Sequence, residues 1–139
     1  MKKASFTLGA FAIILDEQQR ILLCHRRDRD WWNLPGGGVQ RGETPWEAVI
    51  REVQEEVGLV VTVNRLLGIY AYPPEDDVIF SFCCSITGGK MILSDEADAI
   101  SYFALEDLPP TVHLHHLLRV RDALERTEQL QLKTHPLFP

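Results

Sequence analysis

Two runs dominated by Ile, Leu and Phe, Phe6 to Leu15 and Arg20 to Arg26, flank the polar stretch Asp16-Glu17-Gln18-Gln19, which predicts two antiparallel strands joined as a hairpin. Gly9 marks a bulge or a close backbone approach. From Trp46 the apolar period lengthens: Trp46, Val49, Ile50, Val53 and Val57 share one stripe of a helix expected from Pro45 to Val57. Thr44 with Glu47 forms a capping box, Pro45 sits where a missing N–H costs nothing, and Gly58 suits the left-handed stop. Leu59 to Tyr72 reads as a strand with Tyr70 and Tyr72 on one face. Pro73 to Asp77 is a turn, and Val78 to Thr87 is the return strand, closed by Gly88-Gly89-Lys90. A short strand at Ile100 to Phe103 and a turn at Leu105 to Pro109 lead to a last helix, capped by Thr111 and running to about Arg126, with Leu114, Leu117, Leu118, Val120 and Leu124 on its packed face. The tail, 127–139, is polar and then proline-rich and is expected to leave the domain surface or lie against a partner subunit.

Composition adds limits. A chain of 139 residues, 45% hydrophobic and 24% charged, is the size of one globular domain, and a net charge of -6 argues against a general nucleic-acid or membrane surface. No apolar run approaches the roughly twenty residues a bilayer requires. Lys2 and Lys3 before an apolar run imitate a signal peptide but lack a small-x-small cleavage site, so a cytoplasmic protein is expected. Three cysteines, Cys24, Cys83 and Cys84, are an odd number without metal-ligand spacing and read as reduced, small hydrophobes. Cys83 and Cys84 should point to opposite faces of one strand. His113, His115 and His116 are expected to be exposed to solvent, since at most His113 and His116 share a helix side.

The candidate chemistry lies on the first helix. Glu52, Glu55 and Glu56 fall within about 100° of arc beside the apolar stripe, where like charges repel and a cation is needed. Oxygen donors without His or Cys suit Mg²⁺, with Mn²⁺ as an alternative; the competing reading is a solvated acidic face with Arg51 as its internal partner. The loop Arg26-Arg27-Asp28-Arg29-Asp30 and the pair Trp31-Trp32 stand just before this region. Arginine forks onto phosphate and tryptophan offers a stacking face, which nominates Arg26 and Trp32 as substrate contacts against loop solvation and core filling. Pro35-Gly36-Gly37-Gly38 reads as a loop free to approach a ligand or the helix.

Gly37, Glu43, Arg51, Glu52, Val53, Glu55, Glu56, Gly58 and Leu59 stand in the order G-x₅-E-x₇-R-E-U-x-E-E-x-G-U, U being a bulky aliphatic. This resembles the Nudix box, here 37–59, and Trp32 to Gly37 resembles its usual lead-in. The resemblance implies a single Nudix domain, 1–139, with an α/β (α+β) architecture: an α/β/α sandwich holding a mixed β-sheet between helices. It implies Mg²⁺-dependent hydrolysis of a nucleoside diphosphate linked to another moiety, by water attack on phosphorus. Glu52, Glu55 and Glu56 would hold the metal, joined by the carbonyl of Gly37 and by Glu96, for which a solvated loop acid is the competing reading. Glu52 is favoured as general base, with Glu55, Glu56 and Glu96 still open. Glu43 is expected to pair with Arg51 and brace loop against helix, Arg26 to hold phosphate, and Trp32 or Tyr72 to stack the base. Pro74 stands where a proline is associated with ADP-ribose hydrolases in this family, although its turn explains it equally. Nucleoside triphosphates, ADP-ribose and other nucleotide sugars, and dinucleoside polyphosphates are all open as substrates. A catalytically silent nucleotide-binding domain and an isoprenoid diphosphate isomerase are the rival classes. The expected partner is a nucleotide-type small molecule, without stable nucleic acid or membrane, bound by a monomer or homodimer.

Overall fold

The computed structural model describes residues 3–125 and 128–136. In chain order these form β1 (Thr7–Ile14), β2 (Ile21–Arg26), β3 (Trp32–Asn33), β4 (Gly36–Gly38), α1 (Pro45–Val57), β5 (Leu59–Tyr72), β6 (Asp77–Gly89), β7 (Ala97–Phe103), α2 (Leu114–Leu124) and β8 (Gln131–Thr134), with 3-10 turns at Pro73–Glu75 and Leu105–Asp107. A five-stranded mixed sheet runs β4-β1-β6-β5-β8 and a three-stranded antiparallel sheet runs β3-β2-β7. The expected sandwich is present. No described helix is long and apolar enough to cross a membrane.

Strand alternation assigns the two cores. Ala10, Ala12 and Ile14 of β1 and Leu22 and Cys24 of β2 pack with Val49, Val53 and Val57 of α1. On the opposite face Ile13, Ile21, Leu23 and Leu67 pack with Val120 and Ala123 of α2. Cys84 joins the first core and Cys83 the second, on opposite faces as expected, and all three cysteines are free.

Several expectations are corrected. The Asp16 turn forms, with the Asp16 carboxylate accepting from the Gln18 and Arg20 N–H groups. The strands it joins nevertheless separate into different sheets beyond a single bridge, Leu15 to Ile21. Both edges of β1 are taken by β4 and β6, leaving none for β2. The glycine stretch is a short strand rather than a loop, pairing Gly36 with Phe11 and Gly38 with Gly9. Trp46 is 56% exposed, and the buried face of α1 is Ala48, Val49, Val53, Glu56 and Val57. That face therefore carries an acid into the interior. Thr111 does not cap α2; His113 does, its ring accepting from the His115 N–H. The inward residues of α2 are His116, Arg119, Val120, Asp122 and Ala123, so His116 is buried rather than solvated. Arg126, the expected end of this helix, lies outside the described residues. The tail does not leave the surface at once, since β8 adds to β5 in parallel, Gly68 opposite Gln131 through Ala71 opposite Thr134.

Candidate active site

The start and stop of α1 fix where its acids stand. Thr44 Oγ1 accepts from the Glu47 N–H at 3.2 Å, the Glu47 carboxylate accepts from the Thr44 N–H at 3.0 Å, and Gly58 ends the helix at φ 80°. Arg51 braces the assembly. Its guanidinium forks onto Glu43 at 2.7 and 3.0 Å, donates to the Gly38 carbonyl at 3.1 Å, and reaches Glu52 at 3.0 Å and Glu55 at 3.1 Å. The fork holds the Glu43 carboxyl down at about 2. Loop, strand β4 and helix are thus tied by one side chain.

Glu52, Glu56 and Glu96 bring carboxylate oxygens within 4.8 Å of one another. Glu56 is 9% exposed, and burial pushes its pKa up to about 7, with Glu96 and Glu52 adding to the rise. Two donors oppose this: the Cys24 thiol, 2.7 Å from Glu56 Oε1, and the Gly36 N–H. Glu52 is also raised, chiefly by burial, with Arg51 pulling the other way. Glu55 lies outside the group; its side chain is 60% exposed and pairs with Arg51. Glycine at 37 makes room for the group, because a Cβ there would fall 2.6 to 2.9 Å from the Glu52 carboxylate.

This acidic group opens into a cleft of about 490 Å³ lined by Arg26, Arg27, Cys24, Gly37, Glu56 and Glu96 among others. A register shift in β2 between His25 and Arg26 sends Arg26 to its rim, where it pairs with Asp28 at 2.7 Å. Arg27 Nε donates to the Ser94 carbonyl at 2.7 Å and its N–H to the Glu96 carbonyl at 3.2 Å, fastening the two loops of the mouth together. A second cleft, of about 350 Å³, shares Phe11, Arg26, Asn33 and His116 with the first and is lined further by Trp31, Tyr72, His113 and Arg119.

Of the residues singled out in the sequence, Arg26, Gly37, Glu56 and Glu96 line the first cleft and Tyr72 the second. Trp32 lines neither. It packs edge-on against Phe103 and His25, in the core beneath α2. Its neighbour Trp31 is the tryptophan at the cleft. Cys24, Asn33, His116 and Arg119 were not anticipated at the site. Cys24 alternates with Leu22 and reads as a hydrophobe, while His116 accepts from the Leu34 N–H at 3.0 Å, a pairing across the fold with no local signal.

Residues 5–123 match the family model of the NUDIX domain, and the chain belongs to the Nudix family. A Bacillus subtilis protein provisionally named 8-oxo-dGTP diphosphatase is 45% identical over 61% of this chain and 57% of its own length. A MutT-like protein of Streptomyces ambofaciens is 34% identical over 86% of this chain and 77% of its own. The crystal structure of a Streptococcus suis ADP-ribose pyrophosphatase superposes with a TM-score of 0.79 at 29% identity, covering 94% of this chain and 99% of that one.

Proposed function

We propose that the protein is a Mg²⁺-dependent pyrophosphohydrolase, acting in the cytoplasm as a monomer or homodimer on a nucleoside diphosphate linked to a further phosphate or sugar. The observation that carries this reading is the approach of Glu52, Glu56 and Glu96 to one another, with Glu56 and Glu96 lining a cleft that Arg26 and Arg27 also line. Three acids this close, two of them with raised pKa, favour a cation between them, and an all-oxygen donor set fits Mg²⁺ or Mn²⁺ better than a soft metal. Cys24 does not alter that fit, since its S–H already donates to Glu56. Glu52, Glu56 and Glu96 would hold the ion, with the Gly37 carbonyl and Glu55 as further oxygen donors.

Bound there, a divalent ion supplies charge neutralisation at the phosphate oxygens and acidifies a water. The remaining work falls to the chain. Arg26 and Arg27 hold the diphosphate, Glu52 takes the proton of the attacking water, and Arg51 fixes Glu52 in position while the P–O bond of the anhydride breaks. Glu52 is the favoured base because partial burial raises its affinity for a proton while its bond from Arg51 holds the carboxylate in place.

The test is a panel with Mg²⁺: damaged and normal nucleoside triphosphates, ADP-ribose, other nucleotide sugars and dinucleoside polyphosphates, with products resolved by phosphorus NMR in ¹⁸O-water. Turnover with one ¹⁸O on a phosphorus product is expected. Glu56→Gln, Glu52→Gln and Glu55→Gln should each abolish it with the fold retained. Absence of turnover across the panel, or of any divalent-ion binding, overturns the proposal. ADP-ribose has its own support, the Streptococcus suis relative and the turn Pro73–Glu75, which places Glu75 in the second cleft beside Tyr72.

A further inference from the structure

The register shift beside Arg26 begins at His25, and the ring of His25 is held from two directions. Its Nδ1 lies 2.8 Å from Asp98 Oδ1 on β7, and its Nε2 lies 2.8 Å from Asp30 Oδ1, at the far end of the loop that carries Arg26 and Arg27. An ionised carboxylate only accepts, and a neutral imidazole has a single N–H, so both bonds form together on the imidazolium alone. Asp30 and Asp98 are the charged groups against the ring, and their bonds raise its pKa above the ordinary 6.5, Asp30 foremost. Strand β3 adds the Trp32 ring, centroids 5.2 Å apart, while Arg26 is turned to Asp28 and Arg27 to the Ser94 carbonyl.

We infer that His25, as an imidazolium, is a positioning residue: through Asp30 it ties the arginine loop, 26–31, to β2 and β7 in the conformation that grips phosphate. The inference rests on the hydrolase reading for the role of Arg26 and Arg27, and adds to it control of that grip by a proton. The Asp98 end of the tie is fixed, because β7 pairs with β2 alongside it, His25 opposite Ala99. The other end is free to leave. The Asp30 side chain is 79% exposed against 39% for Asp98, so when one ring nitrogen goes bare, Asp30 is the carboxylate that can turn to water. The loop then keeps its backbone bonds, the Arg26 N–H to the Trp31 carbonyl at 2.9 Å and the Trp31 N–H to the Arg29 carbonyl at 2.8 Å, but loses its side-chain tie to the strand. Since the folded pKa is raised, the tie is complete below 6.5 and is lost as pH climbs through the folded value.

The experiment uses the full chain with inorganic pyrophosphate in the presence of Mg²⁺, and Mn²⁺ alone as a separate probe. Calorimetry compares the unmodified protein with Asp30→Asn at pH values on both sides of the His25 titration. Protonation of Glu56 and of pyrophosphate affects both proteins alike and cancels in the ratio of their affinities. With His25 protonated, the unmodified protein should bind pyrophosphate about threefold more tightly, the size of a partly exposed ion pair, and the ratio should approach one as the proton leaves. Mn²⁺ affinity should be equal in the two. In ¹⁵N NMR of the unmodified protein, the His25 ring, assigned with His25→Gln, should carry protons on both nitrogens below a transition that lies above 6.5, and that transition should fall in Asp30→Asn. A ratio that does not change with pH, or a Mn²⁺ affinity altered by Asp30→Asn, overturns the positioning role. A His25 transition at or below 6.5 does so on the unmodified protein, even if the variant fails to fold. If the unmodified protein binds Mn²⁺ and pyrophosphate and the ratio stays flat, this inference alone falls; if it binds neither, the hydrolase reading falls and takes the inference with it.

Discussion

Three consecutive glycines precede the carboxylate helix, and substituting the middle one isolates the geometry of the site. A methyl group at Gly37 meets Glu52 Cδ at 2.6 Å, Oε2 at 2.7 Å and Oε1 at 2.9 Å. The backbone tolerates alanine there, since Gly37 is not among the positive-φ residues. The Glu52 carboxylate must therefore shift by about 0.8 Å to regain ordinary contact, out of its present arrangement with Glu56, Glu96 and Arg51. Displacement of a reacting group by about 1 Å costs on the order of 100-fold in rate, so Gly37→Ala should lose roughly that factor in kcat/KM while its melting temperature moves little. Gly38→Ala is the control, because nothing lies within 4 Å of its Cβ position. Gly36→Ala should fail differently: at φ +149° its Cβ would stand 2.3 Å from the Ala10 carbonyl oxygen, a backbone clash that unfolds β4 from β1. The assay is phosphate or pyrophosphate release beside thermal unfolding for all three. Equal activity in the Gly37 and Gly38 variants would refute the placement of Glu52.

Other outcomes follow from the same contacts. Glu56 titrates near 7 in the folded chain and near 4.5 when unfolded, so between those pH values only the folded state keeps the proton and stability falls as pH rises. At about 1.4 kcal/mol per pH unit, the ion-free protein should lose about 3 kcal/mol over that window, which denaturant unfolding at several pH values would measure; added Mg²⁺ should remove most of the loss, and a flat profile contradicts the burial of an ionised Glu56. Cys24→Ala removes the donor to Glu56 and should raise the Mg²⁺ concentration giving half-maximal rate, with Cys24→Ser restoring it; identical metal titrations for the two would deny the thiol that role. Arg51→Lys keeps the charge but loses the fork onto Glu43 and the Gly38 carbonyl, so a rate loss of roughly tenfold or more is expected, and an unchanged rate would show that the brace is dispensable.

The first helix was legible to the residue because its signals are local: a capping box, a proline at the first turn and a terminal glycine act within one turn of each boundary. Leu59–Tyr72 was equally plain, a long β-branched and aromatic run bounded by glycine and proline. What escaped depends on partners far along the chain. The separation of β1 from β2 follows from β6 occupying an edge of β1, a pairing across some seventy residues. Trp46 gave way to Glu56 on the buried face because the Cys24 thiol and the Gly36 N–H await that carboxylate, and neither is visible from helical periodicity. The polar interior of α2 and the return of the tail are linked in the same way, through Asp122 holding both Tyr70 and Lys133.

Strand β8 has one more effect, on solubility. By lying along Gly68 to Ala71 it occupies backbone groups that a neighbouring molecule could otherwise recruit. A chain truncated before residue 128 would bare that length of β5 as a sticky template, so the tail serves as a chaperone built into the sequence, keeping each copy of the protein from adding itself to the next.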